Sequence, residues 1–362
     1  MSANAGQPDL TQFSAKAHPM MLQRFMAGKG DVRDTDFFAT LEFSGNGFTF
    51  EIREAEKYNQ KSSEFDKIKI TLPNSEDIRT RGKDGMRGDI RPSSIREIKR
   101  QLHFIKGFIN DLKHRGNRIA FQAIGTAALR DAANAEDILA AIADEVGDEI
   151  EFEIVNGDVE ATLSAYGLTM FYPKANGVLV DMGGGSTEFA ILKNGQLEDT
   201  ISLEMGTGSI STADAPRDFV KQTAKALPKR FKKIDTLFLS GGTFRNINKA
   251  ICAANKWDIK AEIPPEISLS DYKKFVKSLR NMDETSWKLM PENLLSRREF
   301  MAQALEVIQR LEKKFPDNAK VALTKTKTRD GLFRLMHDMY EAPENHPDFS
   351  VNDAFKVPAN ER

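Results

Sequence analysis

Between Val178 and Ile191 the chain reads Val-Leu-Val-Asp-Met-Gly-Gly-Gly-Ser-Thr-Glu-Phe-Ala-Ile, and no other stretch constrains the fold so tightly. The apolar run Gly177–Met182 predicts a strand that delivers one carboxylate, Asp181, to its C-terminal end. Gly183, Gly184 and Gly185 then let the backbone turn sharply and bring its N–H groups close to an anion. Ser186 and Thr187 add hydroxyl donors, and Glu188 returns a second carboxylate at the start of the next strand. An anion on backbone amides beside two carboxylates needs a bridging cation. Mg²⁺, hard, oxygen-loving and commonly shared with phosphate, fits that need. If the turn held no ligand, its acidic flanks would have no role.

Length and composition bound the rest. With 362 residues, 40% of them hydrophobic and 29% charged, the chain is ordinarily globular and long enough for two domains. No apolar run approaches the roughly 20 residues of a membrane span, and Met1–His18 is too polar for a secretory signal. Cys252 is the single cysteine, which excludes an intramolecular disulfide and a cysteine-rich metal site and suggests a reducing cytoplasm. The net charge of −1 hides an uneven distribution, because basic residues outnumber acidic ones two to one between Lys57 and Arg118. Such a surplus suits a polyanionic ligand; it equally suits a solvated helix face.

Periodicity divides the chain into two halves, each with strands first and helices after. Residues 1–34 read as an extension, partly ordered at best. Phe37–Arg53 reads as strand, turn at Ser44–Gly47, and strand. Further strands are expected at Phe65–Leu72, Arg118–Ile124 and Ile150–Val155, and helices at Pro92–His114 and Ala133–Glu145. A helix from Asp158 to about Phe171 opens the second half. Phe189–Lys193 and Leu197–Leu203, joined at Asn194-Gly195, read as antiparallel partners of the Asp181 strand. A helix at Asp214–Leu227, a strand at Thr236–Leu239, helices at Ser270–Arg280 and Ser296–Lys314, a strand at Val321–Thr324 and a final helix at Arg329–Tyr340 follow. These divide into a first lobe, 35–160, a second, 161–340, with its last helix able to return to the first, and an acidic tail, 341–362.

Four other segments carry possible chemistry. Ser240, Gly241 and Gly242 end a strand and open a helix at about Phe244, a setting whose amides favour anions, although a plain strand-to-helix turn reads the same way. Leu41–Phe48, with Glu42, Gly45 and Asn46, is by itself an ordinary hairpin turn. Arg130, after Gly125-Thr126, could reach a phosphate bidentately or face solvent. Glu160, after Asn156-Gly157, could activate a water or simply complement a helix dipole.

In this order the segments resemble the exopolyphosphatase / guanosine pentaphosphate phosphohydrolase (Ppx/GppA) family, over about Phe37 to Tyr340 and in its short two-domain form. The family's Gly-Thr-x-x-Leu-Arg-x-Ala segment is similar to Gly125–Ala132, its Gly-Asn-Glu-Glu-Ala segment to Asn156–Ala161, and its Asp-Ile-Gly-Gly-Gly-Ser-Thr-Glu loop to Asp181–Glu188 with Met182 changed. Ser240–Thr243 and Thr328–Leu332 resemble its later motifs. The resemblance implies an α/β fold: two actin-like (ribonuclease H-like) lobes of the sugar kinase, actin and chaperone ATPase superfamily, with a cleft between them. It implies Glu160 as the catalytic carboxylate that orients or deprotonates water. Asp181, Glu188 and Glu42 would lie around Mg²⁺. Gly183–Thr187, Arg130, Gly45, Asn46 and Ser240–Gly242 would bind the phosphates.

The first phosphate loop departs from the family's Asp-Leu-Gly-Ser-Asn-Ser, since Glu42-Phe-Ser-Gly45-Asn46-Gly47 stands there with a longer acid and a displaced glycine. Glu204–Ile210 also lacks an arginine that the family often places nearby. The implied reaction is Mg²⁺-dependent release of terminal phosphate from inorganic polyphosphate, with guanosine pentaphosphate as the alternative substrate. A non-catalytic polyphosphate or alarmone sensor and a kinase of the same superfamily are the readings from other classes. No recognisable nucleic-acid module or membrane segment accompanies them, and a homodimer is implied only by the resemblance.

Overall fold

Two sheets built on one plan organise the chain. The computed structural model describes residues 35–44, 47–57, 89–146, 152–207, 235–261, 264–290, 292–295 and 298–341. Gly45, Asn46, the strand expected at Phe65–Leu72, the helix expected at Asp214–Leu227, and both terminal segments, 1–34 and 342–362, lie outside the described residues.

In the first sheet, β1 (Phe37–Ser44) and β2 (Gly47–Glu54) form the expected antiparallel hairpin, with Ser44 opposite Gly47. β3 (Ile119–Gly125) lies parallel to β1 on its other side, and β4 (Phe152–Ile154) parallel to β3, in the order β2-β1-β3-β4. Helix α1 (Pro92–His114) begins on a proline, which loses no hydrogen bond in a first helical turn. Its apolar stripe, Ile98, Leu102, Ile105 and Ile109, packs on Leu41, Phe43, Phe50 and Ile52 of the hairpin. One-turn α2 (Ala127–Arg130) and α3 (Ala135–Val146) complete this lobe.

The second sheet starts with the meander β5 (Gly177–Met182), β6 (Thr187–Lys193) and β7 (Gln196–Leu203). Asn194 (φ 50°) and Gly195 (φ 78°) both take left-handed conformations, as a two-residue hairpin turn of the expected kind demands. β8 (Thr236–Ser240) runs parallel to β5 and β10 (Lys320–Ala322) parallel to β8, with β9 (Glu266–Ser268) at the edge. A hairpin followed by parallel strands on its first strand's free side thus occurs twice, the duplicated α/β arrangement expected of paired actin-like lobes.

β5 is apolar along its length because it is covered on both faces. Val178 and Val180 meet α5 (Gly242–Asn255) and α6 (Leu269–Arg280) through Phe244, Ile247 and Tyr272. Leu179, with Phe238 of β8, faces α4 (Gly157–Phe171) and α10 (Thr328–Glu341) through Leu163, Tyr166, Leu332 and Leu335. α4 is buried at every position from Val159 to Thr169, so it reads as hydrophobic all round. Phe333 and Met336 of α10 also meet Phe38 and Ala55 of the first lobe, so the last helix packs on both lobes.

Three details differ from the sequence expectation. The helix expected at Ser296–Lys314 starts later, as a 3₁₀ turn at Arg298–Phe300 followed by α9 (Met301–Glu312). The strand expected to reach Thr324 stops at Ala322, because the Thr324 hydroxyl turns back to accept the amide of Thr326. β9 and the short helices α7 (Glu284–Lys288) and α8 (Glu292–Leu295) were not anticipated, being too brief for periodicity to register. Among the described residues no helix is long and apolar enough to cross a membrane.

Where α4 and α10 cross, Gly167 faces Gly331. A Cβ on Gly167 would stand 2.7 Å from the Gly331 nitrogen, and one on Gly331 would strike the Leu163 carbonyl. Both obstacles are backbone and have no rotamer to yield. Gly331→Ala is therefore expected to destabilise the fold by about 3 kcal/mol, read as a lower urea midpoint. An unchanged midpoint would show that these helices do not touch backbone to backbone.

Candidate active site

Carboxyl groups from three elements gather where the lobes meet. Asp181 ends β5 and sits opposite Glu188 of β6 in the strand register, so the chain's tightest turn sets two acids side by side. Ser164, one helical turn beyond Glu160 on α4, donates its hydroxyl to Asp181 Oδ2 at 2.7 Å, and Thr328 at the start of α10 lies 3.5 Å from the same oxygen. Burial raises the affinity of Asp181 for a proton and the charge of Glu42 adds to it; the Ser164 hydrogen bond and the Arg245 cation oppose. Burial likewise lifts Glu188 well above the usual carboxylate range, helped by the charges of Glu160 and Asp181. The Ser202 hydroxyl donates to Glu188 Oε1 at 3.2 Å.

Glu160 occupies the first turn of α4. The Asn156 side chain caps that helix by accepting the Val159 amide at 2.9 Å, which fixes where Glu160 projects. The residue is only 8% exposed. Burial, with Asp181 and Glu42 nearby, pushes its carboxyl up to about 8, although Arg130 pulls the other way. Arg130 is itself aimed by a 2.6 Å bond from Nη1 to the Val155 carbonyl and stands 3.6 Å from Glu160 Oε2, beyond hydrogen-bond reach. That buried oxygen has no hydrogen-bond partner among the described residues.

The glycine turn closes over this group. Gly183 N–H donates to the Ser186 carbonyl at 3.0 Å, and the Gly183 carbonyl accepts from both the amide and the hydroxyl of Thr207. A Cβ on Gly206 would lie 2.5 Å from the Gly184 carbonyl carbon, so the following segment presses directly on the turn. Across the cleft, Gly185 faces Ala127 of α2. No described residue accepts from the amides of Gly184 and Gly185. The hydroxyls expected to face a ligand have other work. Thr187 donates to the Met205 carbonyl at 2.6 Å and Ser240 to the Thr326 carbonyl at 2.9 Å. With those hydroxyl protons engaged inside the protein, the backbone amides of Gly184 and Gly185 are the donors of this turn left open to an anion. Gly241, at φ 90° with its Cα against the Met182 carbonyl, brings the start of α5 beside the end of β5.

Glu42, expected beside the metal, forms an ion pair with Arg329 of α10 while its charge also acts on Glu160 and Asp181. Around this pair lies a buried charge network that sequence reading missed. Arg53 of β2 bonds Glu51 at 2.6 Å and Asp330 at 2.7 Å and lies 3.9 Å over the Phe333 ring. Lys327 and Arg329 approach the other Glu51 oxygen at 3.5 and 3.7 Å. Burial alone would raise Glu51, but Lys327, Arg53 and Arg329 outweigh it and hold the carboxyl down to about 2. The alternation Thr324-Lys-Thr-Lys-Thr-Arg329 was the available signal for this network.

A model of the Ppx/GppA phosphatase family matches residues 67–338. Exopolyphosphatase 1 of Mycobacterium bovis and of Mycobacterium tuberculosis are each 32% identical over 98 residues, which is 26% of this chain and 28% of theirs. The match thus spans little more than a quarter of those relatives' length. An exopolyphosphatase structure from Cytophaga hutchinsonii superposes with TM-score 0.62 at 19% identity, covering 83% of this chain and 98% of that one. A Ppx/GppA family member from Aquifex aeolicus gives 0.61 at 19% identity, over 86% and 99%. At these identities the structures establish the fold.

Acid should expose the charge network. Because folded Glu51 is held at about 2 against an ordinary 4.5, its stabilisation is complete above about pH 4.5 and is lost as pH falls toward 2. The stability gap between wild type and Glu51→Gln should therefore be wide at neutral pH and narrow through that window in urea titrations. A gap that stays constant with pH would show that Glu51 is not held by these cations.

Proposed function

The chain belongs to the Ppx/GppA phosphatase family, and from that premise we propose that it hydrolyses the terminal phosphoanhydride of inorganic polyphosphate and releases orthophosphate. One observation carries this reading: the buried, unpartnered oxygen of Glu160 faces Arg130 and lies among carboxyls beside a turn whose amides have no acceptor. The terminal phosphate would rest on the Gly184 and Gly185 amides with Arg130 alongside. Water held by Glu160 Oε2 attacks phosphorus, and its proton passes to that oxygen. The bridging P–O bond breaks, leaving a chain one phosphate shorter. Once ionised, a buried Glu160 is a stronger base than an exposed glutamate, because burial raises its affinity for the proton taken from water.

The donor set suits Mg²⁺ in one respect. Asp181 and Glu188 are adjacent hard oxygen donors, and neither forms an ion pair among the described residues. Among the described residues no three acidic, His or Cys side chains converge closely enough to hold a metal unaided, which accords with the habit of Mg²⁺ of keeping several waters and substrate oxygens. When bound, the ion would offset the charge of substrate and carboxylates together. Guanosine pentaphosphate presents the same kind of terminal bond and is the alternative substrate.

With Mg²⁺, the purified protein is expected to release orthophosphate from long-chain polyphosphate. Glu160→Gln should slow this at least about 100-fold while binding of tripolyphosphate stays close to wild type. Full turnover by the variant would remove Glu160 from the mechanism. Binding without turnover of polyphosphate, guanosine pentaphosphate or ATP by wild type would favour a sensor instead.

A further inference from the structure

Two partly buried cations of the second lobe have few direct partners. Arg245 lies in the first turn of α5, immediately after the Gly241 turn, and is half-buried. Among the described residues it makes one bond, from Nη1 to the Thr326 carbonyl at 3.5 Å, and no carboxylate lies within 4.0 Å of its guanidinium. Beside Thr326, Lys325 buries its Nζ without any hydrogen-bond partner. The carboxylates that could serve them are engaged: Glu42 by Arg329, Asp330 by Arg53 and by the Lys327 amide, and Asp181 by Ser164. Arg53, by contrast, is fully met by two acids. A desolvated guanidinium left with one long bond is costly, and a structure retains it where an anion arrives from outside.

The position of Arg245 separates it from the Glu160 group. Arg130 approaches Glu160, whereas Arg245 shares the Thr326 carbonyl with Ser240 at the end of β8, next to the strand that carries Asp181. Consistently, the charge of Arg245 bears on Asp181, while that of Arg130 bears on Glu160 and Glu188. Arg130 thus stands by Glu160, and Arg245 by the paired ends of β5 and β8. Anions seated at both would be separate groups of one extended molecule, as adjacent phosphates of a chain are.

We propose that Arg245 binds the substrate phosphate next to the one removed, so that the site selects an oligophosphate over a lone phosphate. This rests on the reading of Glu160 and the glycine turn as the terminal-phosphate site. The arginine also sits where charge accumulates on the departing chain when the bridging bond breaks, so it would act on turnover as well as on binding.

The test is calorimetry in a Glu160→Gln background, so that ligands survive, with tripolyphosphate and orthophosphate as probes in the presence of Mg²⁺. Adding Arg245→Gln is expected to weaken tripolyphosphate at least about 10-fold and leave orthophosphate within about 2-fold, with Arg245→Lys recovering part of the loss. Circular dichroism confirms that each variant is folded. Equal weakening of both ligands would place Arg245 on the terminal phosphate, and no weakening of either would remove it from the site; each overturns the proposal. If the Glu160→Gln parent binds neither ligand and wild type releases no phosphate, the reading of the site itself fails, and this proposal with it.

Discussion

The contact on which the cleft depends is backbone against backbone, at Gly167 and Gly331, where α4 and α10 cross. Only glycine at both positions lets the two helix axes approach so closely. That approach brings Ser164 and Thr328 to within 3.0 Å of each other and both onto Asp181. It also sets the first turn of α10, with Arg329 and Asp330, within reach of Glu42, Glu51 and Arg53 on the first lobe's hairpin. Separate the helices by a methyl group and the acid cluster, the ion-pair network and the Phe333–Phe38 contact would all shift together.

Two sets of buried charges meet at this junction and are treated differently. Around Glu51 every acid has its cation, and the carboxyl is held far below its ordinary proton affinity. Around Glu160, Glu188 and Asp181 the acids crowd one another and all three are pushed upward. Folding alone would favour the first arrangement everywhere, since uncompensated buried charge is destabilising. The second arrangement stands beside the unsatisfied amides of Gly184 and Gly185 and the under-partnered Arg245, so both signs of charge await partners at one place. A metal-bound phosphate chain carries both signs, which is why ligand chemistry accounts for this part of the molecule better than packing does.

Glu42 belongs to both sets: it pairs with Arg329 in the network that ties the lobes, and its charge acts on Asp181 and Glu160.

Local patterning determined a good deal. The β1–β2 and β6–β7 hairpins, the fully apolar β5, the glycine turn bearing Asp181 and Glu188, and the capped helix bearing Glu160 were legible because each is encoded within a few residues by periodicity, turn chemistry or capping. The three acids were therefore visible as candidates, and the ordered motifs around them pointed to the family. The tertiary structure alone decided which groups meet and which are already taken. It spent the hydroxyls of Thr187 and Ser240 on carbonyls, paired Glu42 with Arg329, and left the Arg245 guanidinium with one long hydrogen bond. Those outcomes depend on contacts between residues as far apart as β1 and α10, and sequence patterns of short range carry no information about them.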